Sequence, residues 1–447
     1  MQSCRTRPLW LGVQSVMADS MMTNGQTDAL AAQLAALAAE AELLGHDVRT
    51  VAPPSPPSVD LMAAATAALA TPTGTPPLRE LAAGRHDVVV VTSDATRAVP
   101  SRALLDALMP ELVAAGVADD EVTVVIATGA HRAATDAEVE QMLGPRWAAA
   151  LRVVNHDAHA ADLVGIGRTS RGTPVAICPE VAQADLRIAL GVVEPHEFAG
   201  FSGGRKAILP GVAGYATILA NHAPDRLTDP LTAAGSLTGN PVHEDMIEAV
   251  RMIGPVFILN VTLDERLRAT AVAAGDCEAA HAVLAGFVRD SVGVEADGTP
   301  NVIVTGPGSP LDLSLYQSVK ALGAVGPLAG ARTRVLLLAA CDEGVGSNDM
   351  VDLFAAAGSP PAALQALQGS DYEVQYCGAL VLADFLTRHG QVHAWCPGVE
   401  DKVLEAFGMR HATSPSAGLA AALEGLEAGA HVLFVPRPQR LLFRRPA

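Results

Sequence analysis

The densest chemistry in the chain lies between Val193 and His222, in VEPHEFAGFSGGRKAILPGVAGYATILANH. Two histidines, His196 and His222, and one lysine, Lys206, stand there in a sequence otherwise rich in alanine. Imidazoles change charge near neutral pH and so serve as acids, bases or metal ligands. A lysine amine meets a phosphate as a point charge or acts as a nucleophile. Gly200, Ser202, Gly203 and Gly204 come just before Lys206. Glycines at that density let the backbone turn sharply and come close to a ligand. The pattern predicts that His196 leaves the end of a strand over 186–193 and that 215–222 is a short helix ending on His222.

Further candidates stand apart from this stretch. Asp94 and Arg97 lie three residues apart after the apolar run 88–92, a spacing that also suits a helix cap and its first turn. His131 follows Thr128-Gly129-Ala130, while His156, Asp157 and His159 form a second cluster that reads as structural or solvated. Tyr316, Gln317 and Lys320 sit on a helix predicted over 313–322, where i, i+4 spacing puts Tyr316 and Lys320 on one face.

The elements that must position these groups repeat as apolar strand, polar loop and helix. The β-branched run 88–92 marks a strand buried on both faces of a parallel sheet. Strands are predicted at 121–127, 151–154 and 185–193, with a helix opened by the capping box Thr135-Asp136-Ala137-Glu138 and stopped at Gly144. One more strand, 256–261, completes this part. The pattern restarts near Asp297-Gly298-Thr299-Pro300, with strands at 302–305, 335–339, 393–395 and 431–435. The fold class expected is α/β, with two α/β domains and mainly parallel sheets. The boundaries are a poorly patterned segment 1–60, a first domain 61–295 and a second 296–447. Within 1–60 a helix is expected over 27–44 and a strand at 46–51, before a proline-rich linker at 53–57. In open α/β sheets ligands bind beyond the carboxyl ends of the strands, which is where Asp94, Arg97, His131 and His196 fall.

Composition narrows the function. A net charge of −18 argues against nucleic acid or an anionic membrane surface as partner. The six cysteines form no C-x-x-C pair and suggest free thiols in a reducing cytosol. No apolar run is long enough to cross a membrane, and the short run after Arg5 and Arg7 is a poor signal peptide, so the expected location is cytoplasmic. The lysine loop lacks Walker spacing, and neither Gly165-Ile166-Gly167 nor Gly306-Pro307-Gly308 has the third glycine of a dinucleotide fingerprint.

Together these residues resemble the nickel-pincer lactate racemase family. The matching pieces are Asp94-x-x-Arg97, Thr128-Gly129-Ala130-His131-Arg132, the run from Pro195 through Lys206, Pro210-Gly211 and Asn221-His222. They continue with Pro310-Leu311-Asp312 and Tyr316-Gln317-Ser318-Val319-Lys320, so that the resemblance spans roughly 60–345 and loosens beyond. It implies an active site in the cleft between two α/β domains. It also implies a Ni(II) ion held in a pyridinium mononucleotide with two sulfur arms, one arm covalently linked to Lys206. His222 would be the protein's nickel ligand, with Asp94, Ser202, Gly203 and Gly204 near the cofactor; Asp94 would orient it or Arg97. His131 and His196 would be the paired acid and base. Arg97, Tyr316, Gln317 and Lys320 would hold the substrate.

The reaction implied is racemisation or epimerisation of a small 2-hydroxy acid. The C2 hydrogen leaves as hydride to the cofactor while a histidine moves the hydroxyl proton. Soft donors and an imidazole in a planar field suit Ni(II). Cofactor-maturation enzymes would then be partners. The sequence departs from the family over 1–60 and at the Gly306-Pro307-Gly308-Ser309-Pro310 turn, which leaves the substrate open. Epimerisation of a longer sugar acid is the alternative within the class. A non-catalytic protein binding an anionic nucleotide through Arg97, Arg205, Lys206 and Lys320 is the rival outside it, and an NAD-dependent dehydrogenase ranks third.

Overall fold

The computed structural model describes residues 24–51, 56–295, 298–369 and 372–444. The expectations for the first residues, for most of the proline-rich linker and for the C-terminal tail lie outside that range. The chain forms two compact units, one built by Pro54–Gly293 and the other by the chain on either side of it. Each contains a six-stranded sheet.

In the 54–293 unit the strand order is Ala269–Asp276, Phe257–Leu263, Leu186–Val192, Val88–Ser93, Val122–Ala127 and Arg152–Asn155. Every pair is parallel except the edge pair Phe257–Leu263 with Ala269–Asp276. Val88, Val89, Val90 and Val91 are wholly buried, as a strand covered on both faces requires. That edge strand and the hairpin Val164–Arg168 with Pro174–Ile177 are additions to the predicted set. The edge strand is mostly alanine, and the hairpin separates its valines and isoleucines with glycine and alanine, so neither shows the β-branched run that marks the central strands.

The helix Asp136–Ala150 starts on the expected capping box, with Thr135 Oγ1 accepting from Glu138 N. Its expected stop at Gly144 is instead a break. Gly144 takes φ 77°, and Pro145, whose fixed φ suits a first helical turn, starts the coil again as far as Ala150.

The flanking unit carries an all-parallel sheet ordered Asp47–Thr50, His431–Pro436, Val302–Gly306, Arg334–Leu338, Val392–Trp395 and Arg410–His411. The helix Asn24–Leu43 packs Leu34, Leu37 and Ala41 into the same core as Val302, Leu336, Leu419 and Phe434. The chain before residue 52 therefore supplies both an edge strand and a covering helix to this unit. The cysteines among the described residues are free, and among those residues no helix is long and apolar enough to cross a membrane.

Candidate active site

In the 54–293 unit the connections from Val88–Ser93 run outward to Val122–Ala127, while its other neighbour, Leu186–Val192, leads on to Phe257–Leu263 on the opposite side. The strand order reverses between Val88–Ser93 and Leu186–Val192, and the crevice at such a reversal is where α/β sheets bind ligands. Asp94 and Arg97 follow the first of these strands, and Glu194 and His196 follow the second. Arg97 and Glu194 face each other across the reversal at 3.7 Å, both partly exposed.

Asp94 Oδ2 sits 2.7 Å from His131 Nδ1, and Asp94 Oδ1 accepts from Thr96 N and Thr96 Oγ1. Burial alone would raise the Asp94 carboxyl; the hydrogen bonds from His131 and Thr96, with Arg97 nearby, outweigh it and hold the group below its ordinary value. The carboxylate is ionised and can only accept, so His131 Nδ1 carries a proton, and the neutral form of the ring has its lone pair at Nε2. Asp94 thus serves His131, a partner the sequence reading had not given it. The His131 loop is fixed from behind by the fork of Arg132 on Glu138 and by Gly129 N on Gly211 O. Burial and the Ala213 carbonyl give His156 a structural place, and His159 stacks on Tyr215.

His196 lies in a two-residue hairpin, Pro195–His196 with Gly200–Phe201, and is buried. Its Nδ1 accepts from Phe198 N at 3.2 Å and Ala199 N at 3.3 Å, and its Nε2 is 2.8 Å from Lys206 Nζ. Glu197 Oε2 is 4.0 Å from Nδ1. Each of the two histidines therefore has a carboxylate on its Nδ1 side. Glu197 stood inside the recognised motif without a role, because only the folded hairpin turns it back toward its neighbour.

The glycines before Lys206 approach the protein's own groups. A Cβ on Gly203 would lie 2.8 Å from Asn260 Oδ1, and one on Gly204 2.8 Å from the His281 ring; both residues have positive φ. Asn260 is buried and accepts from Gly204 N at 2.7 Å. The Ser202 hydroxyl donates to Val192 O and accepts from Glu194 N, which staples the loop to the strand end. Arg205 is buried among the Ala199 carbonyl, the Gly203 carbonyl and His281. The loop is thereby a rigid mount for Lys206.

His222 caps the helix Tyr215–Asn221 and is buried, with its Nδ1 lacking any hydrogen-bond partner. Burial pushes its imidazole down to about 4, so it is neutral at physiological pH. Phe198 stands between the two histidines, its centroid 6.2 Å from His196 and 6.4 Å from His222. The residue before the metal-ligand candidate is anchored firmly: Asn221 Nδ2 donates to Asp245, which is wholly buried and also accepts from Thr169, Thr173 and Arg226. Asp245→Ala would leave the largely covered Arg226 without its carboxylate and Asn221, Thr169 and Thr173 without their shared acceptor, and the expected loss is about 3–5 kcal/mol. Urea denaturation measures it, and a change below about 1 kcal/mol would count against this anchor.

In the flanking unit the helix Leu315–Val325 follows the strand Val302–Gly306, whose neighbours Arg334–Leu338 and His431–Pro436 again mark a reversal of strand order. Tyr316, Gln317 and Lys320 lie on its first two turns. The Tyr316 ring packs on Gly378, and Gln317 Oε1 is buried with no hydrogen-bond partner.

The chain thus has two α/β units, with an amine and three imidazoles gathered around the carboxyl edge of one sheet. The chain matches the lactate racemase N-terminal domain over residues 40–235 and the lactate racemase C-terminal domain over 294–439. It is 37% identical over 281 residues to the lactate racemase of Lactiplantibacillus plantarum and 39% identical over 283 residues to that of Thermoanaerobacterium thermosaccharolyticum. Each match covers 63% of this chain and 66% of the relative, so the chain spans just under two thirds of those proteins' length. The lactate racemase apoprotein structure from T. thermosaccharolyticum superposes with a TM-score of 0.80 at 31% identity, over 87% of this chain and 93% of that one. The chain belongs to the lactate racemase family.

Proposed function

We propose that this protein is an isomerase that racemises a small 2-hydroxy acid of the lactate type, using a nickel-bearing pincer nucleotide joined to Lys206. The observation that carries this reading is a pair of histidines on loops that leave the strand ends of one sheet, each with a carboxylate on its Nδ1 side. His131 shows a lone pair at Nε2, with Asp94 on its Nδ1, and His196 shows its Nε2 to Lys206.

The residues suit the group. His222 offers a buried, neutral imidazole with an unsatisfied nitrogen, as a nickel ligand must. Among the described residues no three His, Cys, Asp or Glu side chains gather as a metal cage, so His222 would be the protein's single donor and the pincer would bring the others. Ser202, Gly203 and Gly204 would set the height of the loop that presents Lys206. When bound, the group supplies a two-electron acceptor for the hydrogen at C2 of the acid.

The chain's own work is then proton movement and binding. His131 Nε2 takes the hydroxyl proton of one enantiomer, and Asp94 holds the resulting imidazolium. His196 serves the other enantiomer. To do so its ring proton must sit on Nδ1 with the lone pair on Nε2, a form favoured by the Glu197 carboxylate 4.0 Å from Nδ1. Arg97 binds the acid's carboxylate, and Gln317, Lys320 and Tyr316 are assigned to substrate oxygens.

The test is chiral analysis of a panel of 2-hydroxy acids, including longer sugar acids, with protein made in a host that carries the cofactor-maturation enzymes. Loss of optical purity in a lactate-type acid is expected, together with a mass increase on the peptide containing Lys206. Active protein with an unmodified Lys206 peptide would overturn the covalent linkage. Turnover confined to sugar acids would make the enzyme an epimerase.

A further inference from the structure

Gly378 stands where nothing in the backbone calls for glycine. It is the second residue of the helix Cys377–Arg388, and its φ lies outside the left-handed region. In such a place alanine is the better helix former, because glycine gives up more chain freedom on folding. What alanine lacks here is room. A Cβ on Gly378 would stand 2.6 Å from Tyr316 Cε2, 2.7 Å from Cδ2 and 3.2 Å from Cζ. Gly378 is buried, and the ring lies on its bare backbone.

The other end of the tyrosine is fixed. Tyr316 N donates to Val345 O at 2.9 Å, and Leu315 N donates to Gly344 O at 3.0 Å. A Cβ on Gly346, whose φ is 78°, would come 2.6 Å from Ser314 Cβ and 3.6 Å from Tyr316 Cβ. The loop 344–346 thus grips the start of the helix Leu315–Val325. Further along, the same two helices meet closely again, where a Cβ on Gly323 would be 3.0 Å from Val381 Cγ1. With the tyrosine backbone held and the helices close, the ring itself has to turn aside for an added methyl.

We propose that Gly378 is a positioning residue: it keeps open the space that seats the Tyr316 ring, and so sets how Tyr316 meets the substrate. The helix accepts a poorer helix former there to hold the ring in place. This rests on the function proposed above, which assigns Tyr316 to substrate oxygens. An alanine methyl at 378 would act through the ring it displaces.

Two measurements separate the seat from its use. In the unloaded full chain, thermal unfolding is followed for Gly378→Ala in the wild-type and Tyr316→Ala backgrounds. Without the ring the methyl has space and only helix propensity counts, so Tm is expected to rise by about 1–3 °C. With the ring present that gain is expected to vanish or reverse. The same change in both backgrounds overturns the seat, whereas a single variant that fails to fold beside a double variant that folds supports it. In the loaded enzyme, Gly378→Ala is expected to raise KM for a lactate-type acid at least about five-fold, with kcat within about three-fold of wild type. Nickel and the adduct on Lys206 are expected to stay unchanged, because Lys206 and His222 belong to the 54–293 unit. In the Tyr316→Ala background the substitution is expected to leave KM where it was. An unmoved KM in the single variant overturns the positioning role. Loaded protein that racemises no acid would instead fail the proposed function, and the unfolding measurement still decides the seat.

Discussion

Asp94→Asn is expected to lower the kcat of the loaded enzyme by about 10²–10⁴-fold while leaving its nickel content unchanged. The carboxylate can only accept, so it keeps the His131 proton on Nδ1 and the lone pair on Nε2. An asparagine fits the same space but can turn its amide N–H toward Nδ1. The ring then carries its proton on Nε2, where the hydroxyl proton should arrive, and the developing imidazolium loses its counter-charge. Asp94 stays ionised below the ordinary carboxyl range, so the acceptor for the His131 Nδ1–H persists into mildly acidic pH. A kcat within about three-fold of wild type would remove His131 from the chemistry.

His222→Ala is expected to reduce nickel per chain by at least about ten-fold, whereas His131→Ala and His196→Ala retain it. The His222 imidazole is already neutral and its Nδ1 is buried with no partner, so coordination displaces no hydrogen bond and releases no proton. His131 has Asp94, and His196 has the Phe198 and Ala199 N–H groups, so both rings are committed elsewhere. Elemental analysis of the three purified variants gives the answer. Equal nickel in all three would contradict the division of labour between ligand and proton carriers.

Much of this was legible in the sequence, for physical reasons that differ by element. The run Val88–Val91 announces a doubly covered strand because nothing else tolerates four adjacent β-branched residues so well. His196, Lys206 and His222 stood out as candidates because their spacing belongs to a long motif. The strand Ala269–Asp276 was not, since an antiparallel edge needs no run of large apolar side chains. Nor was the use of the glycines: sequence reveals that the backbone can bend near Gly203 and Gly204, but not that Asn260 and His281 lie against it. The partners of Asp94 and Glu197 were hidden for the same reason. Pairings such as Asp94 with His131, 37 residues apart, are decided by which strands become neighbours.

The most direct test of the whole reading is the fate of the hydrogen at C2. If His131 and His196 move only the hydroxyl proton, that hydrogen never reaches a group that exchanges with water. Lactate deuterated at C2, racemised in ordinary water by the loaded enzyme, is expected to react more slowly than unlabelled lactate and to yield the opposite enantiomer with deuterium still at C2. Wash-out of the label would contradict this account and make the two histidines bases acting on carbon.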